Sequence, residues 1–327
     1  MQGKKMIIDV IFTGGTIGSS IKGDYIGPDA NTGSLLINRY REDCGSLVME
    51  KNIHFREHHP INILSENIQA GDFTAMINAI REVPEDSAGI ILTHGTDTLC
   101  YTANLLSLVF ADFGLPIILV SALFPLEDAR SNGPVNFMAA VEEILKNKRN
   151  GVLVSFCNPG EVPKVFPASR TLRPDACTGA FRVWGDDKEQ LIKAERRAFS
   201  FSGVSDDILV LQARPLLRYD IFSFKAHKPL AVIVELYHSG TVCTEGKGGN
   251  LLEFAEYCRE NGVPLIVGPV LRRAGVYESA GALKDNCIIS YNQSFEMTVV
   301  KVMLALGSGA DIRDVLDTDY SGEHLNR

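Results

Sequence analysis

No stretch of this chain approaches the ~20 consecutive apolar residues that a membrane span needs. The apolar run Met6–Phe12 is too short for the core of a signal peptide, and Asp9 interrupts it. The seven cysteines are odd in number and widely spaced, with no C-x-x-C pair. That removes a disulfide scaffold or a paired-thiol zinc site and reads as reduced thiols in a cytoplasmic protein. Basic residues are in deficit, with 32 Lys and Arg against 40 Asp and Glu and a net charge of -8. Such a surface repels a phosphate backbone, so the short cluster Lys146, Lys148 and Arg149 reads as solvated surface and no nucleic-acid partner is expected. Internal repeats and low-complexity segments are also lacking.

What is present is an ordinary globular composition, 45% hydrophobic and 22% charged over 327 residues. That length is too great for one compact core and suits two α/β domains. Met6–Phe12, Ala88–Thr93, Leu115–Val120 and Gly151–Phe156 read as buried parallel strands. Helices are expected after His94–Thr98, where Leu99, Ala103, Leu106 and Phe110 make an apolar stripe, and over Val135–Lys146. Strands alternating with helices imply a doubly wound, mainly parallel sheet. The boundaries expected are an N-terminal domain over 1–190, a charged and irregular connection over 191–228, and a smaller C-terminal α/β domain over 229–327. In the latter, Leu230–Leu236 and Pro264–Val267 read as strands, and Leu251–Asn261 and Phe295–Leu306 as helices.

Two of the expected strands end in similar turns. Thr13-Gly14-Gly15-Thr16 follows the first, and His94-Gly95-Thr96-Asp97 follows the second. Ligands of open α/β sheets bind beyond the carboxyl ends of the strands, so Thr16 and Thr96 are expected to face one small cleft. A threonine hydroxyl there is a candidate nucleophile if a base and an oxyanion site are close. The plainer alternative makes the glycines tight-turn residues and Thr16 and Thr98 helix caps. A phosphate cradle is a further alternative, but Thr13-Gly14-Gly15-Thr16-Ile17-Gly18 fits neither G-x-G-x-x-G nor a Walker A sequence. His54, His58 and His59 sit in a charged run that reads as a loop, with no cysteine nearby. No metal and no organic cofactor are expected.

Together, Thr13-Gly14-Gly15-Thr16-Ile17 and Thr93-His94-Gly95-Thr96-Asp97-Thr98 resemble the two signature motifs of the bacterial-type L-asparaginase family. Ser65-Glu66-Asn67-Ile68, Ser131-Asn132-Gly133-Pro134 with Asn136, Gly262-Val263-Pro264, Tyr277-Glu278-Ser279 and the ending Asp319-Tyr320-Ser321-Gly322-Glu323 extend the resemblance along nearly the whole chain, the last to the short cytoplasmic (type I) members. The resemblance implies an amidohydrolase acting on L-asparagine, with L-glutamine second. Thr16 would attack the side-chain amide and form an acyl-threonine ester. Tyr25, in Gly23-Asp24-Tyr25-Ile26-Gly27, would ride on a lid and orient or activate Thr16. Thr96 and Asp97 would form a second group completed by a lysine. Asp97 and Glu66 would hold the α-amino group and Ser65 the α-carboxylate, while the backbone near Thr96 and Ala122 would line the oxyanion site. Glu278 would close the site of a neighbouring subunit, making the active unit a homodimer or homotetramer; a solvated loop glutamate is the alternative.

The sequence departs from the family at one point. In Ser169-Arg170-Thr171-Leu172-Arg173-Pro174-Asp175, Arg173 falls where the lysine is expected. Arginine stays charged at any working pH and is a poor proton shuttle. Lys164, nine residues earlier, substitutes only if the loop takes a different course. Two rival readings follow: a silent amino-acid sensor that has lost the lysine, and the glutaminase component of a tRNA amidotransferase. The second would need extra domain material, for which a first strand starting at residue 6 leaves no room.

Overall fold

The computed structural model describes residues 5–29, 32–146, 149–185, 196–272 and 277–325. Lys148 and most of the charged stretch 187–196 lie outside the described residues. The chain divides into two compact units, one mostly Met1–Glu189 and the other mostly Ser200–Arg327.

The first unit contains β1 (Met6–Ile11), β2 (Ser19–Lys22), β3 (Tyr25–Pro28), α1 (Thr32–Asp43), α2 (Gly45–Lys51), β4 (Ile53–His58), α3 (Ala70–Arg81), β5 (Ser87–Thr93), α4 (Leu99–Val109), β6 (Pro116–Val120), α5 (Gly133–Lys146), β7 (Gly151–Phe156) and β8 (Lys164–Pro167). Six of the strands form one sheet in the order β4-β1-β5-β6-β7-β8. All pairs are parallel except β7 with β8. The apolar runs of β6 and β7 are buried along their whole length, which is why they do not alternate. Leu36, Ile37 and Tyr40 of α1 and Phe137, Ala140, Val141 and Ile144 of α5 pack in one core with Ile8 and Val10 of β1. The chain leaves β1 for β4 at one edge and leaves β5 for β6 toward the other. The crevice between β1 and β5 is therefore the switch point of the sheet.

Two parts of this unit escape simple periodicity. His54 and His58 lie in β4 rather than in a loop, because alternate positions of this edge strand face partners on β1. Asp9, in the middle of β1, is wholly buried, ion-paired with Arg56 Nε at 2.9 Å and 2.6 Å from His58 Nε2. A buried carboxylate survives here because Arg56 and His58 on the neighbouring strand partner it. Antiparallel β2 and β3 form a short hairpin straight after Thr16, turning at Gly23, whose φ of 65° is left-handed.

The second unit holds β9 (Ile208–Gln212), β10 (Ala231–Glu235), α6 (Leu251–Glu260), β11 (Leu265–Val270), α7 (Glu278–Ala282), β12 (Ile288–Tyr291), α8 (Phe295–Ser308) and α9 (Ile312–Asp317). Its parallel sheet runs β12-β11-β10-β9. Strand β9 falls inside the segment expected to be a connection: a short, largely apolar strand that pairs with β10 from Ile208↔Ala231 to Gln212↔Glu235. Asn250, Ser294 and Asp311 cap α6, α8 and α9 through their side chains. Among the described residues no helix is long and apolar enough to cross a membrane.

Candidate functional site

Three turns close on one another at the carboxyl ends of β4, β1 and β5. After β1, the Gly15 N–H donates to Ile63 O at 2.8 Å and the Ile63 N–H donates to Thr13 O at 3.1 Å. After β5, Thr93 meets Thr13: the Thr13 hydroxyl donates to Thr93 O at 2.5 Å, and the Thr13 N–H donates to the Thr93 hydroxyl at 3.3 Å. Both threonines are buried, so these bonds are shielded from water and each contributes about 1 kcal/mol. The first threonine of each motif is thus structural. The matching threonine at the two strand ends was the available sign of it.

The glycines then allow contact between backbones. A Cβ on Gly15 would overlap the nitrogen and Cα of Gly95, and one on Gly95 would overlap the Ser65 side chain. Gly15 also has φ 72°, a conformation that other residues adopt only at a cost. So Thr16, Thr96 and Ser65 each adjoin one point where three turns meet.

Neither Thr16 nor Thr98 is a helix cap through its side chain. Thr16 opens a single 3-10 turn whose capping residue is Gly15. Thr98 occupies the cap position of α4, but its hydroxyl donates to Ser65 O at 2.9 Å. Among the described residues, the hydroxyls of Thr16 and Thr96 and the carboxylate of Asp97 make no hydrogen bond, and Thr16 and Thr96 are half-buried. Uncommitted hydroxyls at a switch point are available to a ligand.

The other candidates are placed as follows. Ser65 is buried and Glu66, next to it in a 3-10 turn, is exposed. Ala122 is fully buried beyond β6, against the position a Gly133 Cβ would take. Asn132 and Asn136 hold that loop: Asn132 accepts from the Leu123 N–H at 2.8 Å and donates to Cys157 O at 2.9 Å, while Asn136 donates to Ser121 O at 2.8 Å. Tyr25 is 80% exposed on the β2–β3 hairpin. Arg173 is exposed in a loop that returns through Asp175 and Ala180, where Gly179 abuts Leu123 beside Ala122. Lys164 is paired with Glu161 at 2.8 Å. Glu278 is exposed at the start of α7 in the second unit.

The sequence pattern attaches no role to His94. It is buried, its Nδ1 lies 2.8 Å from Gly95 O, and its Nε2 lies 2.8 Å from the Thr102 hydroxyl on α4. Burial pushes the imidazole down to about 4, so it is neutral at ordinary pH. The three histidines clustered in the sequence are otherwise engaged: His58 with Asp9, His54 with Asn52 at 2.9 Å, and His59 stacked on Phe12 at 5.1 Å. Among the described residues no group of three or more His, Cys, Asp or Glu is arranged to hold a metal.

The fold and the site define a doubly wound α/β protein whose ligand crevice is built from backbone turns carrying hydroxyl groups. More narrowly, the chain belongs to the asparaginase family, whose N-terminal domain model matches residues 7–177. It is 26% identical to an L-asparaginase of Thermococcus kodakarensis over 96% of this chain and 98% of that protein. It is 24% identical to a component of the glutamyl-tRNA(Gln) amidotransferase of Pyrococcus horikoshii, over 99% of this chain and 78% of the relative. The solved structure of the thermostable Thermococcus kodakarensis L-asparaginase superimposes with a TM-score of 0.76 at 25% identity, covering 98% of this chain and all of that one. L-asparaginase I from Vibrio cholerae shares the fold, with a TM-score of 0.77.

Proposed function

We propose that the protein hydrolyses the side-chain amide of L-asparagine, and more weakly that of L-glutamine, with Thr16 as nucleophile. The observation that carries this reading is the contact of Gly15 with Gly95, which sets the Thr16 and Thr96 turns side by side at the switch point. The similarity to the L-asparaginase of Thermococcus kodakarensis over nearly the full length of both chains supports the substrate.

In this reading the Thr16 hydroxyl oxygen adds to the amide carbon as its proton passes toward the leaving nitrogen, helped by Tyr25 when the hairpin closes. Backbone N–H groups at Thr96 and near Ala122 stabilise the oxyanion. The C–N bond breaks, ammonia leaves, and water hydrolyses the threonine ester to aspartate. Asp97 and Glu66 hold the ammonium of the substrate and Ser65 its carboxylate, since a zwitterion needs groups of both kinds. Arg173 contributes fixed positive charge and no proton transfer. The active unit is a homodimer or larger, with Glu278 reaching a neighbour's site. Seven free cysteines suit a reducing, cytoplasmic setting.

The similarity to the amidotransferase component favours a second reading, in which released ammonia is passed to a partner. The test is ammonia release from L-asparagine and L-glutamine by the wild-type protein and by Thr16→Ala. Release from asparagine that is lost in the variant is expected. Binding of asparagine without release from either amide would sink the hydrolase and leave an amino-acid sensor. Release from glutamine alone would favour the amidotransferase reading.

A further inference from the structure

Carbonyl oxygens only accept hydrogen bonds, so the His94 ring nitrogen facing Gly95 O must carry the proton. The other nitrogen, Nε2, is then bare and accepts from the Thr102 hydroxyl. A threonine inside a helix usually turns its hydroxyl back to the carbonyl four residues earlier. Thr102 instead bonds the ring, and the pair is buried with no part in the proposed chemistry. Its mechanical effect falls on one peptide group. Gly95 O and the Thr96 N–H belong to the same trans peptide, so they point in opposite directions. Holding the carbonyl inward against His94 turns the Thr96 N–H outward. Among the described residues that N–H has no hydrogen-bond partner. Gly95 cannot relieve a misfit by shifting, because Gly15 and Ser65 flank it.

We infer that His94, locked by Thr102, is a positioning residue that aims the Thr96 N–H at the oxyanion of the amide-hydrolysis reaction. The inference rests on the functional reading above. A donor that binds the transition state more strongly than the substrate changes kcat and leaves KM nearly alone. Thr102→Val keeps the shape of the side chain and removes the donor. The ring then loses its anchor, and kcat for asparagine should fall about 10-fold with KM within about twofold. Thr102→Ser restores the hydroxyl and should restore kcat.

A second measurement needs no activity and no variant. A long-range proton–nitrogen spectrum of the wild-type protein should show the His94 proton on Nδ1. A proton on Nε2 overturns the strut, as does a Thr102→Val enzyme with unchanged kcat, or one in which only KM moves. If Thr102→Val does not fold, the spectrum decides. If the wild-type protein releases no ammonia, the functional reading has failed, and the tautomer still decides whether the strut exists.

Discussion

Gly15 and Gly95 touch through their backbones, and neither position has room for a methyl group. Gly15→Ala, whose Cβ would overlap the Gly95 nitrogen and Cα, is therefore expected to force the two threonine turns apart. A displacement near 1 Å at a reacting group costs about 100-fold in rate, and overpacking costs about 1–3 kcal/mol. Gly114, where nothing lies within 4 Å of an added Cβ, is the control. Gly114→Ala should keep both activity and melting temperature. Full turnover in Gly15→Ala would remove the contact from the explanation of the site.

The parts of this picture legible in the sequence are those carried by local pattern. Met6–Ile11, Leu99–Val109 and Gly151–Phe156 lie close to where apolar runs and periodicity put them. Strand β4 was not legible, because a half-exposed edge strand with His54, Arg56 and His58 reads as a charged loop until Asp9 is seen opposite. Strand β9 is a different case: Ile208–Leu211 is an apolar run with strand propensity, but it is short and lies in an irregular stretch, and its pairing with β10 is what identifies it. At the site, the two threonine motifs pointed to the crevice. The strut role of His94 depends on Thr102, eight residues further on, whose hydroxyl gives no sign in sequence of where it points.

In the proposed reading Arg173 stands where the family resemblance implies a lysine, a side chain that can lose its proton where arginine cannot. If its loop stands at the crevice, Arg173→Lys supplies a group whose charge responds to its surroundings. The expected result is a rise in kcat of about 10-fold, the lower end of what general acid–base catalysis contributes. The activity should also gain a pH dependence set by the lysine. Initial rates across pH 6–10 check this, and an unchanged profile would take Arg173 out of the chemistry.

Asp9 is buried between β1 and β4, while Arg56 keeps 31% of its side chain exposed. Breaking a buried pair costs about 3–5 kcal/mol, and the exposure of Arg56 brings the expected loss for Asp9→Ala to about 2 kcal/mol. The urea midpoint should drop with an unchanged slope. A drop far smaller than this would mean that Arg56 and His58 add little and that burial of the carboxylate is nearly neutral.

The carboxyl-terminal segment carries a second buried charge group. Lys301, fully buried on α8, lies 2.7 Å from Glu323 Oε1 and 2.6 Å from Thr318 O. Burial alone would raise the Glu323 carboxyl, but Lys301 and a hydrogen bond from Asp319 overcome it and hold the group far below the usual carboxylate range. Burial, followed by the hydrogen bond and charge of Glu323, pushes Asp319 up to about 7. In the unfolded chain both acids lose their protons by about pH 5. Between about pH 5 and 7 the folded state therefore holds one proton, on Asp319, that the unfolded state has lost. The contribution of Asp319 is fully present below about pH 4 and is lost as pH rises through 7. Glu323 adds no slope in that window, because it is ionised in both states. Asp319→Asn mimics the protonated acid, so it should match the wild-type melting temperature at pH 5 and exceed it at pH 8. Because Asp319 is partly exposed, the gain should be about 1 kcal/mol, below the 1.4 kcal/mol per pH unit that one fully coupled proton allows. Equal melting temperatures at both pH values would mean that Asp319 is ionised in the folded protein throughout.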